Sequence, residues 1–80
     1  MELRQIEYFV KIADTGSINE AARRLNMSQP PLSYSLRQLE EELGAELFTR
    51  SAKGVELTPA GRLLYERAEN LLEFARSTKK

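Results

Sequence analysis

The chain has 80 residues, 12 basic and 12 acidic side chains that cancel to zero net charge, and neither cysteine nor histidine. A length of this order fits one small domain, which buries about 60–65% of the surface its unfolded form exposes and therefore has a thin margin of stability. The missing cysteine and histidine exclude disulfides and thiolate zinc sites and remove the commonest general base and zinc ligand. They speak against a zinc finger and most hydrolases, and no metal or cofactor is expected.

Glu2, Glu7 and Lys11 interrupt any signal-peptide apolar segment. No apolar run approaches the roughly 20 residues of a membrane span, and with cysteine absent the expected compartment is the cytoplasm. The first predicted helix runs from about Leu3 to Asp14. Leu3, Ile6, Phe9, Val10 and Ala13 recur at helical steps and mark its buried face, and Gly16 stands where a left-handed cap is easiest. The second opens with Ser17-Ile18-Asn19-Glu20, a capping box in which Ser17 accepts the Glu20 amide and the Glu20 carboxylate reaches back to the Ser17 amide. Ile18, Ala21, Ala22 and Leu25 form its short apolar stripe, and Asn26-Met27 ends it.

The third helix, about 29–43, has Ser28 as N-cap and tolerates Pro30 and Pro31 in its first turn, where backbone N–H groups lack partners anyway. Leu32, Leu36, Leu39 and Leu43 read as its core stripe. Pro30, Ser33, Tyr34, Arg37 and Glu41 cluster on the opposite side, and Gly44 closes the helix. Leu47–Arg50 and Val55–Thr58 are short β-prone runs around the turn Ser51–Gly54, a hairpin over 47–58. Thr58-Pro59 then starts a long fourth helix as N-cap and N1. On it Leu64, Ala68, Leu71 and Ala75 form one stripe that Leu63, Leu72 and Phe74 widen, more apolar surface than one small body covers. The expected fold is mainly α: a winged helix-turn-helix of three helices plus a hairpin wing over 1–58, followed by a linker and dimerisation helix over 59–80.

The zero net charge hides an uneven distribution. Arg23, Arg24 and Arg37 stand in a stretch to Leu39 without an acid, Glu40–Thr49 carries acids without a base, and Arg50, Lys53 and Arg62 face only Glu56. Folding can bring the two positive segments onto one face. A short capped helix, a tight turn and a second helix led by small polar residues suit a DNA reader: the first helix crosses the backbone and the second enters the major groove N-terminus first. Free N–H groups at helix N-termini favour phosphate. The wing lays Arg50 and Lys53 along phosphates or into a minor groove. A protein-interaction scaffold, which the zero net charge suits, and an enzyme built without His or Cys are the alternatives; fold alone does not decide.

Glu2-Leu3-Arg4-Gln5-Ile6-Glu7-Tyr8-Phe9, Ala21-Ala22-Arg23-Arg24-Leu25, Ser28-Gln29-Pro30-Pro31-Leu32-Ser33, Leu39-Glu40-Glu41-Glu42-Leu43-Gly44, Leu47-Phe48-Thr49-Arg50 and Leu57-Thr58-Pro59-Ala60-Gly61 follow in order. In that ordered combination the whole chain resembles the N-terminal domain of LysR-type transcriptional regulators. The resemblance implies sequence-specific binding of double-stranded DNA on interrupted dyad operators, as dimers within tetramers. It also implies a larger effector-binding domain that this chain lacks. Carried onto this sequence, Gln29, Pro30, Pro31 and Ser33 fall where the family meets bases and sugar-phosphate, Arg50 matches the wing arginine, and Lys53 takes a position that is often basic. Many relatives have arginine then glutamine where this chain has Tyr34-Ser35, which removes a potential bidentate guanine contact.

The candidate DNA-contacting set is Ser17, Ser28, Gln29, Pro30, Pro31, Ser33, Tyr34, Arg37, Arg50 and Lys53, with Ser28 read first as a cap. The candidate dimerisation set is Leu64, Ala68, Leu71, Leu72 and Ala75. Glu40, Glu41 and Glu42 point in different directions on a helix and read as solvated surface rather than a metal or acid-base site. Arg23 and Arg24 either touch phosphate or keep the domain soluble, and Arg62 and Arg67 read as surface or dimer-rim residues.

Overall fold

In a computed structural model, which describes residues 1–77, four helices and one hairpin follow in chain order: α1 (Leu3–Thr15), α2 (Ile18–Arg24), α3 (Gln29–Leu43), β1 (Phe48–Ser51), β2 (Gly54–Leu57) and α4 (Pro59–Ser77). This is the expected winged helix-turn-helix with a long last helix. The final three residues of the expected 59–80 helix lie outside the described residues.

α1 is the central element, packed on α2, α3 and α4 and touching β2. Its start is fastened by a reciprocal cap: the Glu2 side chain accepts the Gln5 N–H, and Gln5 Oε1 accepts the Glu2 N–H at 2.9 Å. Gly16, at φ 71°, ends it in the left-handed conformation. The buried face is Ile6, Phe9 and Ile12, while Leu3 is exposed. The expected stripe included Leu3 and omitted Ile12. Three helices cover the middle and end of α1 and leave its first turn open.

The core gathers Ile6, Phe9 and Ile12 with Ile18, Ala21 and Ala22 of α2, Leu32, Leu36 and Leu39 of α3, Leu47 and Phe48 of the wing, and Ala68 and Leu72 of α4. Burial of a large aliphatic or aromatic side chain contributes about 1.5–3 kcal/mol. The two alanines let α2 approach its neighbours closely. Leu43 departs from the expected core stripe: it is 39% exposed. The last turn of α3 runs past the layer that covers it, and Leu43 lines an apolar groove with Ala45, Leu47, Ala60, Leu63 and Leu64.

The wing is antiparallel, with Phe48 opposite Leu57, Arg50 opposite Val55 and Ser51 opposite Gly54. Each strand thus reaches one residue further into the expected turn, and only Ala52-Lys53 separates them. Three ties hold it. The Phe48 ring packs on Phe9 with centroids 5.3 Å apart. Val55 N–H donates to the Gly16 carbonyl at 3.0 Å. Glu40 accepts the Leu47 N–H at 2.8 Å. Glu40 is therefore a wing anchor rather than the solvated carboxylate expected, and Glu42 pairs with the N-terminal ammonium at 2.7 Å.

α4 begins as expected, with Thr58 Oγ1 accepting the Gly61 N–H at 3.0 Å. Its inward face differs from the expected stripe. Gly61, Ala68 and Leu72 are buried and Leu64, Tyr65 and Ala75 partly so, whereas Leu71 is 45% exposed beside exposed Leu63 and Phe74. The steps 61, 65, 68, 72 and 75 mark this face, and Tyr65 was missed because its hydroxyl reads as polar. That hydroxyl donates to Asp14 of α1. Ala68 and Leu72 belong to the same core as α1–α3, so the helix starting at Pro59 completes the body over 1–58. Among the described residues no helix is long and apolar enough to cross a membrane.

Candidate nucleic-acid interface

α2, a turn and α3 form the helix-turn-helix. Ser17 caps α2 by accepting the Glu20 N–H at 3.1 Å. The second half of the expected capping box is absent. The Ser17 N–H turns to Thr15 Oγ1 at 3.4 Å, because the Glu20 carboxylate is engaged elsewhere. It accepts Arg23 Nη2 on both oxygens at 2.7 Å and Arg24 Nε at 2.9 Å. Charge-assisted bonds to two guanidinium groups outcompete one amide. The hydrogen bond from Arg23, then that from Arg24, holds the Glu20 carboxyl below the usual carboxylate range, and Glu20 in turn pushes Arg23 up.

The turn passes through Asn26 at φ 57°, a conformation asparagine adopts more readily than most residues. Ser28 has the extended backbone of an N-cap, yet its side chain makes no cap hydrogen bond. The reason is in the sequence: a cap acceptor takes the N–H of N2 or N3, and these are Pro30 and Pro31, which have none. The expected Ser28 side-chain cap is thus corrected, and the hydroxyl is left available to another acceptor or donor. The same prolines also thin out the free N–H groups at the start of α3, so phosphate attraction there rests less on backbone donors than the sequence reading assumed.

Gln29 Nε2 donates to Ser33 Oγ one turn on, which fixes both side chains on one face. Pro30, Pro31, Tyr34 and Arg37 are exposed, with Tyr34 61% accessible on the side away from Leu32, Leu36 and Leu39. The wing brings Arg50 to this region. Ser17, Asn19, Gln29, Arg50 and Ser51 line one shallow polar groove between the starts of α2 and α3 and the wing. Lys53 is exposed in the wing turn. Among the described residues Arg37, Arg50 and Lys53 form no ion pair, in contrast to Arg23 and Arg24. Asn19 and Ser51 were not singled out from sequence; Asn19 stands on the polar side of the first turn of α2, opposite Ile18, Ala21 and Ala22, where the capping signature already located it.

The profile of the family described as bacterial regulatory helix-turn-helix proteins, lysR family, matches residues 3–62. The chain belongs to the LysR family. Among its relatives, the HTH-type transcriptional regulator TfdS of Cupriavidus pinatubonensis is 50% identical over 78 residues, covering 98% of this chain and 26% of the relative. Among solved structures, the CbnR_DBD–DNA complex superposes with a TM-score of 0.94 at 44% identity, covering 98% of this chain and 90% of that one. The BenM_DBD complex with catB site 1 DNA gives 0.93 at 41% identity, covering 98% and 88%. The chain spans 26% of the length of TfdS and no more than about half of any of the curated regulators compared with it.

The expected dimerisation residues do not form one surface. Ala68, fully buried, and Leu72, 7% exposed, face the core of their own domain. Leu64 and Ala75 are partly covered, and Leu71 alone of the set is exposed. The apolar side chains that α4 does present to solvent are Leu63, Leu71 and Phe74.

Proposed function

We propose that this domain binds double-stranded DNA sequence-specifically, as the N-terminal reader of a LysR-type transcriptional regulator. α3 enters the major groove by its N-terminal half, offering Gln29, Pro30, Pro31, Ser33 and Tyr34, with Arg37 behind them. Ser17 and Ser28 meet the backbone at the edges. Arg50 and Lys53 of the wing lie on phosphates or in the adjacent minor groove. The observation that carries this reading is the groove in which Ser17, Gln29 and Arg50 converge from three separate elements beside unpaired basic side chains. The DNA complexes formed by CbnR_DBD and BenM_DBD, similar over nearly the whole chain, support it.

Two copies assemble on a dyad operator through the exposed side of α4, Leu63, Leu71 and Phe74, which replaces the set expected from sequence. In this reading residues 1–58 contact DNA and 59–80 carry the partner contact. The complete regulator works in the cytoplasm as a tetramer, with an effector bound by a further domain.

The test is binding to a random-sequence duplex as salt is raised. A domain that neutralises several phosphates loses affinity steeply, while a protein-interaction scaffold shows no binding at any salt. Arg50→Ala should flatten the slope of log affinity against log salt by about one unit if Arg50 meets phosphate. If it enters the minor groove, the loss should concentrate on A·T-rich flanks. Unchanged affinity with an intact fold removes the wing from the interface.

A further inference from the structure

The helix-turn-helix and the wing together carry basic side chains in two different states. Arg37, Arg50 and Lys53 have no acidic partner among the described residues, while Arg23 and Arg24 share one carboxylate, that of Glu20. Four hydrogen bonds join them: Arg23 Nη2 to both carboxylate oxygens at 2.7 Å each, Arg24 Nε at 2.9 Å and Arg23 Nε at 3.2 Å. The geometry is the one a phosphate offers to guanidinium groups: two anionic oxygens accepting from two donors at once. All of it lies on the solvent side of α2, whose first turn lines the groove with Gln29 and Arg50. We propose that Glu20 is an internal stand-in for phosphate, which occupies Arg23 and Arg24 and so restrains the sequence-independent affinity of the domain for DNA.

The proposal rests on the DNA-binding reading above. Sequence-independent affinity comes from replacing condensed counterions with protein cations. A guanidinium already neutralised by its own carboxylate releases little on meeting phosphate, since it must first give up an equal partner. The carboxylate also remains close and repels the phosphate it was displaced by. Specific readout through α3 and the wing arginine is untouched by this exchange. The effect is therefore on the ratio of specific to non-specific binding, the quantity that matters against a genome of competing sites. The zero net charge of the chain is consistent with this arrangement, because part of its basic surface is internally neutralised.

The test is anisotropy titration of a labelled random-sequence duplex between 50 and 200 mM salt. Glu20→Gln keeps the shape and removes the charge. It should steepen the salt slope by up to about 1.8 units, the value for two added phosphate contacts, so that affinity falls about tenfold more across that range than for the unmodified protein. Glu66→Gln, exposed on α4, changes the net charge equally and should leave the slope where it was. Arg23→Gln/Arg24→Gln should cost little in the unmodified protein and abolish the gain in the Glu20→Gln background. Equal effects of Glu20→Gln and Glu66→Gln, or an unchanged slope with Glu20→Gln, overturn the proposal. The arginine pair gives an answer even if Glu20→Gln unfolds: a loss of nearly two slope units in the otherwise unmodified protein means both side chains already serve phosphate, and Glu20 restrains nothing. If the unmodified protein shows no salt-dependent binding, the DNA-binding reading itself falls, and this proposal with it.

Discussion

Gly61→Ala sets two effects against each other. Gly61 lies in the first turn of α4, and alanine is the better helix former by about 1 kcal/mol. Propensity alone therefore predicts stabilisation. The packing says otherwise. A Cβ at this position would sit 2.1 Å from the Leu47 carbonyl oxygen, 3.0 Å from its carbon and 3.1 Å from Leu57 Cδ2, where ordinary contact begins at 3.4 Å. α4 and the Leu47 link into the wing must separate by more than an ångström. Leu47 is poorly placed to yield: its carbonyl accepts the Thr58 N–H at 3.0 Å, its N–H is held by Glu40 at 2.8 Å, and its side chain is 1% exposed. Overpacking of this kind costs about 1–3 kcal/mol, and loss of the Thr58 bond adds about 1 kcal/mol. Set against the propensity gain of about 1 kcal/mol, the net is a destabilisation of about 1–3 kcal/mol. At about 4–8 °C per kcal/mol for a domain this small, Tm falls by roughly 4–24 °C. Gly44→Ala is the comparator. Nothing lies within 4 Å of its Cβ, and only the left-handed backbone, φ +69°, opposes it, at about 1–2 kcal/mol. Thermal unfolding by circular dichroism at one pH compares the two. A Gly61→Ala protein that melts at or above the unmodified one would show that α4 does not rest on the Leu47 backbone.

Three further perturbations follow from the same structure. The hydrogen bond to Asp14 holds the Tyr65 phenol up at about 12. A raised pKa means that its stabilising contribution is full below the free-phenol value near pH 10 and is lost as pH rises through 12; Tyr65→Phe should therefore flatten the alkaline loss of stability in that window, and an identical pH profile for both proteins would count against the bond. Leu71→Asp should leave a folded chain of reduced mass by light scattering at high concentration, whereas Leu72→Asp should unfold the domain by burying an unpaired carboxylate; an unmodified protein that stays monomeric removes α4 self-pairing as a property of this chain. Tyr34→Arg places a bidentate guanine reader on the exposed side of α3 and should shift preference at one base pair per half-site, a discrimination worth about 1–3 kcal/mol; identical selected sequences from both proteins would refute it.

Helix periodicity and caps located every element to within a residue or two, because Gly16, Ser17, Gly44 and Thr58-Pro59 each have a local reason to stand at a boundary. What failed was information that local patterns do not hold. Leu3 and Leu43 follow a helical apolar period, but exposure depends on what covers each turn, and the ends of α1 and α3 protrude. Leu71 and Leu72 are adjacent on α4 and equally apolar; only the position of α1 decides which one is buried. The Glu20 carboxylate had two kinds of partner within reach, one backbone amide and two guanidinium groups, and the capping-box pattern named the weaker. The missing Ser28 cap was open to deduction, since Pro30 and Pro31 occupy the positions that donate to it. The candidate interface was more legible than the packing, because prolines, small polar side chains and unpaired bases were already excluded from the core by composition.

The wing's attachment explains how so small a body keeps α3 and the hairpin in register. A hairpin of two four-residue strands is at best marginally stable alone. Here its first residue is sunk beside Phe9, the Glu40 carboxylate of α3 holds the link into it, and its second strand is bonded to the turn between α1 and α2. The last tie requires Gly54, at φ +131°, because a Cβ there would fall 2.2 Å from the Gly16 carbonyl oxygen. Arg50 therefore moves with α3 rather than as a loop beside it. A basic side chain on a free hairpin would lose conformational entropy each time it met phosphate. Fixed at three points, it would meet the duplex of the proposed complex already placed, and the spacing between Gln29 and Arg50 becomes a property of the core.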